Sequence, residues 1–149
     1  MTGPGLFLFA YGTLQIPAVM QAVTGQKLPS VDAVLKGYCR YSIKDEIYPA
    51  IIAHTGKSVD GQLYTGLEQS TLKILDAFED VIYTRSEKKV MTMDNVFINT
   101  QVYVISAESH YRLSDMPWSL EGFRRYHLKK YIKGCERFLA KYNREYKAG

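Results

Sequence analysis

The period at which apolar residues recur changes along this chain, and the period identifies most of the elements. Residues 6–11, Leu6-Phe7-Leu8-Phe9-Ala10-Tyr11, read as a buried strand that ends at Gly12-Thr13. Pro17 suits the first turn of a short helix, where its missing N–H is no loss, and Gly25 closes that helix. Residues 30–43, 47–54 and 59–66 read as strands, the first two separated by Lys44-Asp45-Glu46. Ser70 is placed as the N-cap of a helix running to about Asp80. Residues 83–93 and 96–105 form a hairpin around Asp94-Asn95. Leu120, Phe123, His127, Tyr131, Cys135 and Phe138 recur at helical spacing, which predicts an amphipathic terminal helix over about 119–142. Mostly antiparallel strands with a few helices give an α+β chain, its sheet closed or nearly closed and the helices packed outside.

Length and composition then narrow the class. A chain of 149 residues, 46% hydrophobic and 23% charged, fits one domain spanning 1–149 and excludes a disordered segment. The apolar run at 6–10 is too short to span a bilayer and lacks the basic flank of a signal peptide, so a cytoplasmic protein without membrane contact is expected. Cys39 and Cys135 stand in different elements and read as two free thiols. From Glu121 onward nine Lys or Arg face three Glu, so the net charge of +4 resides in the terminal helix. Such a helix serves either as a solvated face or as a nucleic-acid surface. The strands lack the aromatic-plus-basic pattern of the second, so nucleic acid is not an expected partner.

Several chemistries are excluded by pattern. His54, His110 and His127 have no ligand-like spacing, and no metal is expected. No phosphate-binding glycine loop, dinucleotide fingerprint or G-x-S-x-G elbow is present, and no cofactor is called for. Two features remain. Tyr11-Gly12-Thr13-Leu14 follows an apolar strand and precedes a helix, where successive N–H groups can form a concave anion site able to hold a carboxylate. The same four residues also suit a plain strand-to-helix turn.

The second feature lies on the helix over 70–80. With Leu72 as origin and about 100° per residue, Leu75, Phe78 and Ile74 fall at about 300°, 240° and 200°, and Glu79 at about 340°, inside that apolar arc. Asp76 sits at its edge and Asp80 points away. A carboxyl on a buried face must be paired or kept neutral, which makes Glu79 a functional candidate. Its alternatives are a structural ion pair with Arg40 or Arg85, or a helix end turning toward solvent.

Phe9-Ala10-Tyr11-Gly12-Thr13-Leu14, Tyr48-Pro49-Ala50-Ile51, Gly61-Gln62-Leu63-Tyr64 and Leu75-Asp76-Ala77-Phe78-Glu79-Asp80, with Tyr83 and Arg85, together resemble the γ-glutamyl cyclotransferase-like superfamily. The chain is most similar to its branch of plant avirulence-induced proteins and γ-glutamylamine cyclotransferases, and Pro117-Trp118-Ser119-Leu120 with Phe123 also resembles that branch. The resemblance implies a small mixed, mostly antiparallel β-barrel with flanking helices and one cavity. It implies a small γ-glutamyl compound as partner, converted to 5-oxoproline, and no particular oligomeric state. The loop Tyr11, Gly12, Thr13 and Leu14 would hold the α-carboxylate and amine, Glu79 would be catalytic, and Tyr83 would complete the substrate site. Gln15-Ile16-Pro17 departs from the basic residue that many γ-glutamylamine enzymes carry after this loop. A non-catalytic member that binds a small ligand or a protein is the rival reading, with a filled pocket or a Glu79 locked in an ion pair.

Overall fold

The computed structural model describes residues 5–146; Lys147, counted above among the basic residues, lies outside them. Five strands close into a barrel: β1 (Leu6–Ala10), β2 (Ser30–Ser42), β3 (Pro49–Leu67), β4 (Tyr83–Thr92) and β5 (Phe97–Ile105). Their order around the barrel is β1-β3-β2-β4-β5, and β1 completes the circle against β5. Neighbouring strands run antiparallel except β1 and β5, which pair parallel through Leu8 and Gln101.

The unbroken apolar sequence of β1 follows from its position between two cores. Phe9 points into the barrel with Leu35, Ile51, Val59, Leu63, Val90 and Val102. Leu8 and Ala10 point outward, into a second core built with the helices. That outer layer contains α1 (Pro17–Thr24), α2 (Gln69–Phe78), α3 (Leu120–Tyr126) and α4 (Leu128–Tyr146). α1 ends on Gly25, whose φ of 75° is the left-handed conformation that glycine adopts freely. The hairpin β4–β5 turns through Asn95 at φ 64°, with the Thr92 N–H donating to the Val96 carbonyl at 2.9 Å.

Three expectations about element boundaries change. The strands expected over 47–54 and 59–66 form one long β3, because β2 pairs with both parts. The register jumps from Lys36 opposite Ser58 to Tyr38 opposite Ala53, so the polar segment 54–57 bulges out opposite Gly37. Ser70 is not the N-cap of α2. Glu68 occupies that place in an extended conformation, and its carbonyl accepts from the N–H groups of Thr71 and Leu72 at 3.0 and 3.2 Å. The terminal helix is two helices, since α3 stops at His127. The His127 N–H still reaches the Phe123 carbonyl and the Tyr131 N–H reaches that of His127, each at 2.9 Å. The apolar spacing therefore runs through the break and conceals it from the sequence.

No helix among the described residues is long and apolar enough to cross a membrane.

Candidate functional site

The chain leaves β1 at Ala10 and turns into a short 3₁₀ helix, Thr13–Gln15. Each carbonyl of this loop is held from behind. Arg40 Nη1 and Gln15 Nε2 both donate to the Tyr11 carbonyl at 2.8 Å, and the Tyr64 hydroxyl donates to that of Leu14 at 2.6 Å. The N–H groups of Gln15 and Ile16 take the carbonyls of Gly12 and Thr13 at 3.1 and 3.2 Å. The N–H groups of Gly12, Thr13 and Leu14 are left without an acceptor among the described residues. Three free donors beside a cavity are what an anionic group requires.

Gly12 permits the close fit of this loop. A Cβ at that position would meet Pro49 Cδ at 3.0 Å and Cγ at 3.1 Å. Pro49 is itself fixed, its carbonyl accepting from the Tyr83 hydroxyl at 2.5 Å. Gly12→Ala should therefore shift the loop by tenths of an ångström with little loss of stability. Binding of a carboxylate ligand should weaken by about tenfold, as displaced positioning groups do, and calorimetric titration beside thermal unfolding checks both.

The loop lines one wall of a cavity of about 620 Å³. Tyr11, Gly12, Thr13, Leu14, Glu79 and Tyr83, from three separate stretches of sequence, all border it. The volume suits a small organic ligand.

The end of α2 brings three acidic residues to this region and treats them differently. Asp76 receives Arg85 Nε at 2.8 Å and Nη2 at 3.0 Å, and the Tyr103 hydroxyl at 2.7 Å. Arg85 and Tyr103 face each other across β4 and β5, so this pair docks the end of α2 on the barrel. Asp80 accepts from the Tyr48 hydroxyl at 2.9 Å and from the Ile82 N–H at 3.2 Å. Glu79 alone makes no side-chain hydrogen bond or ion pair among the described residues. Burial, then the charges of Asp80 and Asp76, push its carboxyl up to about 8. The ion pair with Arg85 that the sequence allowed for Glu79 belongs to Asp76.

Glu79 does not reach the cavity as an interior helical residue. α2 ends at Phe78, and Glu79 is extended at φ −70° and ψ 146°, its N–H still bonded to the Leu75 carbonyl at 2.9 Å.

Sequence reasoning missed part of the lining. Tyr48 and Tyr103 border the cavity, as do Tyr131, Lys130 and Arg137 of α4. The Thr13 hydroxyl donates to that of Tyr131 at 3.3 Å, which joins the loop to α4. Tyr131 carried a signal, since it lies on the apolar stripe of the terminal helix, but a stripe does not separate core from cavity wall. Burial holds the hydroxyls of Tyr11 and Tyr83 well above the ordinary tyrosine value, so both stay protonated and donate. Among the described residues no three His, Cys, Asp or Glu side chains converge as a metal site requires.

A closed barrel beside a cavity of this size, with free backbone donors on one wall and an unpaired carboxyl on another, has the features of a small-ligand site. The family model for γ-glutamyl cyclotransferase, AIG2-like proteins matches residues 8–120, and the chain belongs to that family. AIG2-like protein C of Arabidopsis thaliana is 31% identical over 138 residues, covering 89% of this chain and 77% of the relative. AIG2-like protein D of the same plant is 29% identical over 138 residues, with 91% and 90% covered. A solution structure of an Arabidopsis thaliana protein superposes with a TM-score of 0.69 at 26% identity, over 99% of this chain and 91% of that one. A structure of a γ-glutamyl cyclotransferase gives a TM-score of 0.64 over 89% and 86% of the two chains; at 18% identity it shows the shared fold alone.

Proposed function

We propose that this chain releases 5-oxoproline from a γ-glutamyl amine or γ-glutamyl amino acid by intramolecular aminolysis. The substrate α-amine attacks its own γ-carbonyl, a new C–N bond closes the five-membered ring, and the original amide C–N bond breaks to free the amine. The carrying observation is that Glu79, alone among three neighbouring carboxyls, is unpaired, recessed and open to the cavity. The free N–H groups of Gly12, Thr13 and Leu14 suit the α-carboxylate, and Tyr11 and Tyr83 close the site around the glutamyl chain.

Nucleophile and electrophile belong to one molecule, so the protein's tasks are to fold that molecule and to move protons. Glu79 takes the proton of the attacking amine and delivers it to the departing nitrogen. Its pKa of about 8 gives this role a physical basis. An α-amine lies at about 7.7–8.0, so the proton passes between the two groups almost without free-energy change. With an ordinary carboxyl near 4.3 the same transfer would be uphill by roughly 5 kcal/mol. The non-catalytic alternative calls for a filled pocket or an ion-paired Glu79, and neither is found among the described residues.

A screen of γ-glutamyl compounds for 5-oxoproline release tests the proposal. For a turned-over compound, kcat/KM should rise toward pH 8 and fall above it, because one proton must be shared between Glu79 and the amine. A screen without product, or a rate flat from pH 6 to 9, rejects it.

A further inference from the structure

The groups assigned to the glutamyl part are only some of the cavity lining. α4 also borders it, with Lys130, Gly134 and Arg137 at spacings that share one helix face. Lys130 and Arg137 are exposed and make no ion pair among the described residues, while Lys141 on the same helix pairs with Glu145. Gly134 lies inside a helix, where glycine costs about 1 kcal/mol relative to alanine. Its missing side chain opens the wall between the two cations, and Arg137 Nη2 lies 3.8 Å from where a Cβ would stand.

Glu79 and Asp80 border the same cavity, Asp80 already engaged by Tyr48. A second groove of about 330 Å³, lined by Arg124, Arg125, Lys129 and Lys133, shares Lys130 with the cavity and adds further cations beside it. A substrate whose glutamyl group is held by the Gly12–Leu14 donors and Glu79 has Lys130 and Arg137 on the lining of the same cavity for an anion on its departing part.

We infer that Lys130 and Arg137 form the leaving-group subsite and select γ-glutamyl compounds whose departing amine bears a carboxylate, as an amino acid or peptide does. The inference rests on the proposed cyclisation, in which that amine leaves toward α4 as the ring closes at Glu79.

γ-Glutamyl-alanine and γ-glutamyl-ethylamide differ by that carboxylate alone. In the unmodified protein kcat/KM should favour γ-glutamyl-alanine by about tenfold or more, chiefly through KM, and 0.5 M salt should shrink the preference. In the double variant Lys130→Ala, Arg137→Ala the ratio should fall toward one, and Lys130→Glu with Arg137→Glu should take it below one. Both positions are exposed, so folding is not at stake. An equal ratio in the unmodified protein overturns the inference, as does an equal loss for both compounds in the double variant, which would assign the cations to the glutamyl group. If neither compound is turned over, the cyclisation proposal fails separately. The ratio of their calorimetric affinities, in unmodified and double-variant protein, then decides the subsite by the same criteria.

Discussion

Replacing Glu79 by Gln should abolish 5-oxoproline release and make the protein more stable at neutral and alkaline pH. Gln keeps the size of the side chain and fills the same place at the end of α2, but it carries no proton between amine and leaving group. Loss of general acid–base transfer alone lowers the rate by roughly 10²–10⁴-fold. Ligand binding should persist, because the loop donors and the tyrosines are untouched. Steady-state assays beside calorimetric binding of a γ-glutamyl compound make the measurement, and turnover near the unmodified rate would remove Glu79 from the mechanism.

The stability gain follows from linkage. Burial pushes the Glu79 carboxyl up to about 8 in the folded protein, above the ordinary 4.5 of a solvated glutamate. Between those values the native state keeps a proton that the unfolded chain has released. The stability tied to that proton is therefore complete below about pH 4.5 and is lost as the pH rises through about 8. At 1.36 kcal/mol per unit the full loss would be about 5 kcal/mol, and solvation of a cavity-facing carboxyl reduces it to roughly 2 kcal/mol. For a chain of this size that corresponds to about 4–8 °C in Tm. Thermal unfolding from pH 5 to 9 should show a decline that Glu79→Gln lessens by that amount. Parallel curves would mean that Glu79 ionises in the native protein as an ordinary carboxyl does.

How far the site was legible depended on which residue was asked about. The helical wheel put Glu79 on the covered side of α2, where it stands buried and unpaired, but it pointed Asp80 away, whereas Asp80 also borders the cavity and is held by Tyr48. Yet the wheel assumed a helix through residue 80, whereas Glu79 aims its carboxyl from an extended terminal position. The direction survived because the Glu79 N–H still bonds to Leu75. The Arg85 ion pair was foreseen but not its owner, since cross-strand register decides that Arg85 and Tyr103 stand together over Asp76. Register is long-range information that local spacing does not carry. The same holds for Lys130 and Arg137, which looked like part of a solvated basic face until the fold placed both on the border of the cavity. Strand existence was plain from periodicity, but the bulge that unites β3 depends on pairing with β2 and left no period to read.

Gly61→Ala should destabilise the barrel severely and weaken the site with it. Gly61 pairs with Ala33 on β2, and it faces the interior between Val59 and Leu63. A Cβ at this position would lie 2.4 Å from the Ala10 carbonyl oxygen and 2.9 Å from Phe9 Cζ. Phe9 is 1% exposed and its ring is enclosed by the barrel core, so it has no free space to enter. The Ala10 oxygen is backbone of β1, held by pairing with β3 on one side and β5 on the other. Relief therefore requires β1 to move away from β3, and β1 delivers Tyr11 and the donor loop. Overpacking usually costs about 1–3 kcal/mol, and a clash with backbone belongs at or above the upper end. Chemical denaturation should show about 3 kcal/mol lost at an unchanged m-value. In the fraction that remains folded, carboxylate binding should be weaker than in unmodified protein, since the displacement is transmitted straight into Gly12. An alanine variant of unmodified stability would show that β1 and β3 do not approach as closely as this packing requires.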